Sequence, residues 1–498
     1  MNIPNRLQQQ RDFFKSQQTK NIPYRIKKLK ELKALIISRE KDIYDALYKD
    51  FNKSKFESFM SEFGLLVSEL DLILKHLKAW SRPKRVKPSM LTFPARDYIY
   101  KEPYGSILVI APWNYPFLLS IAPMMMAVAA GNTVVLKPSE LTLHTSTLVT
   151  EIIQTVFHED HVVSIEGGVS IATKLLEQRW DYIFFTGSVP VGKIVAKAAA
   201  KHLTPVTLEL GGKSAFIVFE DADLDAAVEG LVDSIWFNQG EVCCAGSRLL
   251  VQSEVAEKLH LKIKRRIKQL RLGKPLDKST DLGSLVSKTQ FNRVSAMVEE
   301  GLHHGGEIYQ ACDIDSNGNY YPPTLITEVD SSHPLVQEEI FGPVLVSMTF
   351  RTQSEAVELA NNSRYGLAAS VWSENINRAM DVAPKVKAGV IWINCHNQFD
   401  ASCGFGGVRE SGFGREGGKE GLYEYLKPKG LKSSDKTSFS SVSVQSKSDE
   451  IDRTLKLYIG GKQVRPDGGH SLSTYNADGT HAAYVGSGNR KDIRNAIS

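Results

Sequence analysis

No charged side chain occurs between Glu102 and Lys137, a run that first suggests a membrane-spanning helix. A span needs about 20 apolar residues in unbroken helical register, and here Pro112, Asn114, Pro116 and Pro123 interrupt it. The run divides instead into a strand over 106–111, a Pro-Trp-Asn-Tyr-Pro turn, an apolar helix over 117–130, a Gly131-Asn132 stop and a strand over 133–136. Apolar strands flanking an apolar helix predict a buried strand–turn–helix–strand unit of a parallel sheet.

The same rhythm continues with strands over 162–165 and 182–185 and a helix over 191–200. Further strands are predicted over 215–218, 248–251, 343–349 and 389–393, and helices over 254–270, 287–300 and 354–361. Alternation of this kind predicts an α/β protein with a doubly wound sheet and a second α/β lobe from Glu209 onward. A chain of 498 residues has room for two or three lobes. With 42% hydrophobic and 23% charged residues it has the content to pack them.

The net charge of +5 is concentrated in residues 1–50, which hold 12 Lys/Arg against 6 Asp/Glu. Ile26, Leu29, Leu32, Ile36, Ile43 and Leu47 recur at near-helical spacing from Tyr24 to Leu47, so Lys27, Lys28, Lys30 and Lys33 are read as a solvated helix face. No nucleic-acid or membrane partner is expected. Five cysteines, Cys243, Cys244, Cys312, Cys395 and Cys403, show no metal-like spacing, so neither a disulfide framework nor a metal site is expected. The polar start Met1-Asn2-Ile3-Pro4-Asn5-Arg6 lacks an apolar signal core, which points to a cytoplasmic protein. Eight serines in 433–448 mark a solvated linker. Beyond it a hairpin is predicted over 455–464, and a helix begins at Arg490.

Two segments carry chemistry. In Val206-Thr207-Leu208-Glu209-Leu210-Gly211-Gly212-Lys213 a lone acid sits among apolar residues and glycines, surroundings that raise a carboxyl pKa toward that of a general base near neutrality. In Gly240-Glu241-Val242-Cys243-Cys244-Ala245-Gly246-Ser247-Arg248 a thiol follows a glycine turn, as a nucleophile would. Together, 34 residues apart, they resemble the two signature motifs of the NAD(P)-dependent aldehyde dehydrogenase superfamily. Pro112-Trp113-Asn114-Tyr115-Pro116, Lys137-Pro138-Ser139-Glu140, Gly187-Ser188-Val189-Pro190-Val191-Gly192, Glu338-Glu339-Ile340-Phe341-Gly342-Pro343 and Phe405-Gly406-Gly407-Val408-Arg409-Glu410-Ser411-Gly412 follow in family order.

The resemblance implies an aldehyde dehydrogenase fold and oxidation of an aldehyde to a carboxylic acid. Cys243 is then the nucleophile, Glu209 the base that activates water, and Asn114 an oxyanion donor with the Cys243 backbone N–H. Trp113, Lys137, Glu140, Gly187, Ser188, Gly192, Leu210, Glu339 and Phe341 are the cofactor-binding residues it implies. Glu140 favours a free ribose hydroxyl and hence NAD, with NADP possible. Cys244 is assigned a structural role.

The implied organisation is a cofactor-binding part (1–79 with 100–208), a catalytic part (209–393) and a small β oligomerisation part (80–99 with 394–430). A Ser-rich linker (431–453) and a hairpin-and-helix tail (454–498) follow. The start resembles dimeric class-three members, so a homodimer or higher homo-oligomer is expected, and the tail resembles the beginning of the second module of two-module members. Glu241 and Arg409 depart from the family's usual Gln and Lys and are expected near the tunnel mouth. Trp236-Phe237, Tyr115 and Phe399 are possible lining residues. Two alternatives are a CoA-acylating enzyme, against which Glu209 argues, and a catalytically silent scaffold.

Overall fold

Ser106–Ile110, Thr133–Lys137, Val162–Ser164, Tyr182–Thr186 and Val206–Glu209 pair in parallel, with Gly412–Phe413 added antiparallel at one edge. Successive side chains of a strand point to opposite faces, and this sheet buries both. Ile107, Val109, Val134, Leu136 and Phe184 pack under the helices Ile22–Ser38, Glu40–Phe51, Gly64–Trp80, Leu118–Ala130 and Leu143–Val156. Leu108, Ile110, Val135, Ile183 and Phe185 pack on the other face, against Ile3–Lys15, Val169–Leu176 and Val189–Ala200. A computed structural model, from which these elements are taken, describes residues 3–428 apart from 88, 93, 274–279 and 313–317, together with 457–459, 462–464, 467, 471–479 and 481–497.

A second sheet has the order Glu307–Gln310, Thr324–Thr327, Val344–Phe350, Arg248–Gln252, Ala215–Val218, Ala368–Trp372 and Val390–Ile393. Only its first strand runs antiparallel to its neighbour. Phe216, Val218, Leu249 and Val251 face one core, and Ile217, Leu250, Val344 and Val346 face the other. The chain passes from the first sheet to the second through 210–214, immediately after Glu209.

The predicted strands and helices are present within a few residues of their expected ends, with three corrections. The helix read over Tyr24–Leu47 is two, because Arg39 leaves helical geometry (φ −100°, ψ 15°) and Glu40 and Asp42 begin a new first turn whose charge suits a helix N-terminus. Pro123 does not interrupt the apolar segment: Leu118–Ala130 runs through it as one helix, buried on every side. The tail hairpin Leu457–Ile459 with Lys462–Val464 and the helix Arg490–Ile497 are present, and Ser471–Tyr475 pairs with His481–Gly486, a hairpin not foreseen. The predicted linker lies outside the described residues. Among the described residues no helix is long and apolar enough to cross a membrane.

Two compact units are distinguished, Met1–Arg82 with Lys101–Pro428, and Pro83–Tyr100 with Lys429–Ser498. Within the second, Lys84–Val86 pairs antiparallel with Asp97–Ile99.

Candidate active site

In the first sheet the strand order reverses beside Ser106–Ile110: Thr133–Lys137 and Val162–Ser164 lie to one side, Tyr182–Thr186 and Val206–Glu209 to the other. Open α/β sheets take ligands at the carboxyl ends of strands beside such a reversal. Trp113 and Asn114 follow one strand end, Lys137 and Glu140 the next, Gly187 and Ser188 a third, and Glu209 closes the fourth. The topology thus brings residues far apart in sequence to one rim.

Along that rim Lys137 is buried and ion-paired with Glu140. Ser188 precedes the helix Val189–Ala200 without a side-chain cap, leaving first-turn N–H groups for an anion. A Cβ at Gly187 would meet the Phe185 ring at 2.6 Å, and one at Gly192 would meet Leu210 at 2.6 Å. A side chain at either position would have to push Phe185 or Leu210 aside. Trp113 stacks on Phe51 at 6.4 Å and receives the edge of Phe341 at 5.4 Å. This cradle of bare backbone, a buried Lys–Glu pair and an aromatic wall fits a dinucleotide.

From the second sheet, the segments just before Arg248–Gln252 and Val344–Phe350 carry Cys243 and Glu339. Asn238, Gln239 and Gly240 are successive left-handed residues (φ 48°, 56° and 72°), and a Cβ at Gly240 would meet the Gly342 carbonyl at 2.3 Å. Left-handed non-glycine residues are strained and persist where surrounding contacts hold them. Here the Asn238 amide donates to Glu241 O at 3.2 Å, and the Asn114 amide donates to the same oxygen at 3.0 Å. Asn114 is thereby tied two residues from Cys243. Gly211 and Gly212 let the strand crossing pass underneath: Gly212 N–H donates to Glu339 Oε1 at 3.0 Å, and a Cβ on Gly212 would meet Cys243 O at 2.7 Å.

Glu209 is buried, and among the described residues neither of its carboxylate oxygens has a hydrogen-bond partner. Burial pushes its pKa well above the carboxylate range, and the charges of Glu416 and Cys243 add to this. Glu339 is raised to about 7, chiefly by burial. The half-buried Cys243 thiol is also pushed up, first by its hydrogen bond to the Cys244 side chain, then by burial and by the charges of Cys244 and Glu339. Cys244→Ala should therefore lower the Cys243 pKa more than Glu339→Gln does. The pH profile of iodoacetamide alkylation in the cofactor-free protein reads this; unchanged profiles in both variants would refute it.

Cys244 is buried, its Sγ donating to Asn397 Oδ1 at 3.3 Å, and its carbonyl oxygen is 3.0 Å from His396 Nε2. Glu241 is not at a mouth: it is fully buried, accepts from Val286 N–H at 3.1 Å and is raised to about 8 by burial. Arg409 clamps the carbonyls of Asn361 and Ser363 on the surface. Trp236 is core, donating to Pro343 O at 3.2 Å, whereas Tyr115 is held beside Cys243 and Cys244. Phe399 is exposed and packs on Trp392 and Phe405. Sequence reasoning missed Lys53, Glu62 and Glu416, each an ordinary charged residue in a charged or glycine-rich stretch until tertiary packing encloses it.

A glycine-lined rim with a buried Lys–Glu pair on one parallel sheet meets a cysteine loop and a buried carboxyl, unpaired among the described residues, at the entry to a second. The profile of the aldehyde dehydrogenase family matches residues 3–431. The chain is 37% identical over 412 residues to 4,4'-diaponeurosporen-aldehyde dehydrogenase of Staphylococcus aureus (strain NCTC 8325 / PS 47), covering 82% of this chain and 88% of that one. It is 36% identical to the dimeric NADP-preferring aldehyde dehydrogenase of Rattus norvegicus, covering 84% and 91%. Among solved structures, Staphylococcus aureus betaine aldehyde dehydrogenase in complex with NAD+ superposes with a TM-score of 0.81 at 33% identity, covering 85% and 86%. The substrate-bound state of Staphylococcus aureus AldH gives 0.80 at 36%, covering 86% and 93%. The chain belongs to the aldehyde dehydrogenase family. It is an oxidoreductase that converts an aldehyde to a carboxylic acid with NAD or NADP.

Proposed function

We propose that Cys243 is the nucleophile of this reaction, Glu209 its water-activating base and Asn114 its oxyanion donor. The observation that carries this is the buried Glu209 carboxyl, left without a partner and electrostatically coupled to the Cys243 thiol. The Cys243 thiol gives up its proton to solvent as its sulfur bonds to the aldehyde carbon, giving a thiohemiacetal anion whose oxygen is met by the Asn114 amide and the Cys243 N–H. A nicotinamide held by Glu339 and Phe341 would supply the acceptor for the hydride on this carbon. The acyl group then remains on Cys243 as a thioester, and Glu209 takes a proton from the water that displaces it. A base placed for water supports hydrolysis over transfer to CoA.

Trp113, Lys137, Glu140, Gly187, Ser188, Gly192, Leu210, Glu339 and Phe341 would hold the dinucleotide. Residues 1–79 with 100–208 form its lobe and 209–393 the catalytic lobe; 80–99 with 394–430 serve oligomerisation. The Lys137–Glu140 pair supports NAD, because a carboxylate there disfavours a ribose phosphate. The apolar neighbours of Cys243, Tyr115 and Phe405 among them, support aldehydes with apolar substituents. We infer a cytoplasmic homodimer, the first from the cysteine usage and the second from the dimeric rat relative.

Asn114→Ala should lower the rate of NADH formation with benzaldehyde or a medium-chain aliphatic aldehyde about 100-fold. The product should be the free acid whether or not CoA is added. Less than a threefold loss would remove Asn114 from the mechanism, and an acyl-CoA product would replace hydrolysis by acyl transfer.

A further inference from the structure

The strongest unassigned feature is a buried ion pair behind Asn114. The helix Leu118–Ala130 begins without a side-chain cap from Phe117. A buried helix end needs partners for its first N–H groups. Glu62 supplies them: its Oε2 accepts from Phe117 N–H at 2.8 Å and Leu118 N–H at 3.2 Å. Glu62 reaches inward from the π-helical turn Phe59–Phe63, an irregularity common at functional sites.

Its other oxygen accepts from Lys53 Nζ at 2.7 Å, and both side chains are essentially inaccessible, 1% and 0% exposed. Lys53 Nζ also donates to the Asn114 carbonyl at 3.3 Å and lies over the Tyr115 ring at 4.6 Å. The Asn114 carbonyl receives the Asn238 amide as well, at 3.5 Å. Asn238 and Asn114 both donate to Glu241 O. The resulting network runs from Glu62 through Lys53 and the Asn114 peptide to the loop that bears Cys243. Glu57 and Glu241 feel the Lys53 charge too. Buried ion pairs contribute little net stability and are retained where they impose one arrangement.

We propose that the Lys53–Glu62 pair is a positioning device that fixes the 114–117 turn, and through it aims the Asn114 amide at the oxygen that develops charge on Cys243-bound substrate. Neither residue touches the reacting atoms. This rests on the reading of Asn114 as the oxyanion donor.

The test measures the pre-steady-state NADH burst and the KM for NAD in Lys53→Met, Lys53→Arg, Glu62→Gln, Asn114→Ala and the Lys53→Met/Asn114→Ala double variant. Displacing a catalytic group by about 1 Å costs on the order of 100-fold. Lys53→Met should lose about that factor in burst rate. It should keep the KM for NAD, and it should add no further loss to Asn114→Ala. Lys53→Arg, which keeps charge and donors, should recover most of the rate, and Glu62→Gln, which keeps the helix contacts but not the charge, should lose less than Lys53→Met. If Asn114→Ala is impaired while the Lys53 and Glu62 variants are not, the positioning proposal alone falls. If the Lys53 and Asn114 losses multiply, or if Asn114→Ala is unimpaired while Lys53→Met is impaired, Lys53 acts elsewhere and the proposal is overturned. Should Lys53→Met not fold, Lys53→Arg and Glu62→Gln decide it by the same burst measurement.

Discussion

Cys243→Ser should produce no NADH burst and lose at least ~10³-fold in turnover, as removal of a covalent nucleophile does elsewhere. A serine hydroxyl ionises far less readily than a thiol, and this site disfavours any anion at position 243. The hydrogen bond to the Cys244 side chain, then burial and the charges of Cys244 and Glu339, already push the better acid, cysteine, upward. Serine would remain protonated and attack poorly. The residues assigned to the dinucleotide lie mostly on the other sheet's rim, so NAD binding measured by quenching of tryptophan fluorescence should be preserved. Turnover above about 1% of the unaltered protein would dismiss Cys243 as the nucleophile.

The second large effect belongs to Glu209. Because neither oxygen has a hydrogen-bond partner among the described residues, Glu209→Gln breaks none there and should leave the fold intact. It removes only the group that takes the proton from water. The variant should give an NADH burst of one equivalent per site, followed by steady-state turnover lowered about 10²- to 10⁴-fold. The pH dependence follows from the direction of the shift. A raised pKa keeps Glu209 protonated, and so inactive as a base, through the ordinary carboxylate range. Turnover of the unaltered enzyme should therefore climb with pH beyond that range, whereas residual turnover of the glutamine variant should lack this limb. Loss of the burst itself would reassign Glu209 to an earlier step, removal of the Cys243 proton.

Much of this was legible from residue patterns because a doubly buried parallel strand needs an uninterrupted apolar run. Ser106–Ile110, Thr133–Lys137 and Tyr182–Thr186 each have one. Glu209 and Cys243 stood out through their conjunction, 34 residues apart in two glycine-bearing segments; taken singly, each reads equally well as a satisfied acid or a buried thiol. Burial created by distant segments was not legible. Lys53 lies among Lys49, Asp50 and Lys55, and nothing local distinguishes it from a solvated lysine. Its role exists only once the helix Leu118–Ala130 is laid across it. Glu241 was misplaced at the tunnel mouth for the same reason. The break at Arg39 escaped notice because apolar spacing continues across it in near-helical phase.

The buried carboxyls described at the site carry a thermodynamic consequence for the whole molecule: folding at neutral pH takes up protons. Glu209 is held well above 4.5, Glu241 and Glu416 near 8, and Glu339 near 7. An unfolded chain releases those protons at about 4.5, so between that value and about 8 the folded state binds more of them, and rising pH weakens it. His161 and His396, held near 3 and 4, act oppositely below 6.5, where the unfolded chain is the one that takes protons. Lys213, brought down to about 7, returns part of the loss above that pH. The proton uptake that favours the fold is thus lost over the same rise in pH that turns Glu209 into a base.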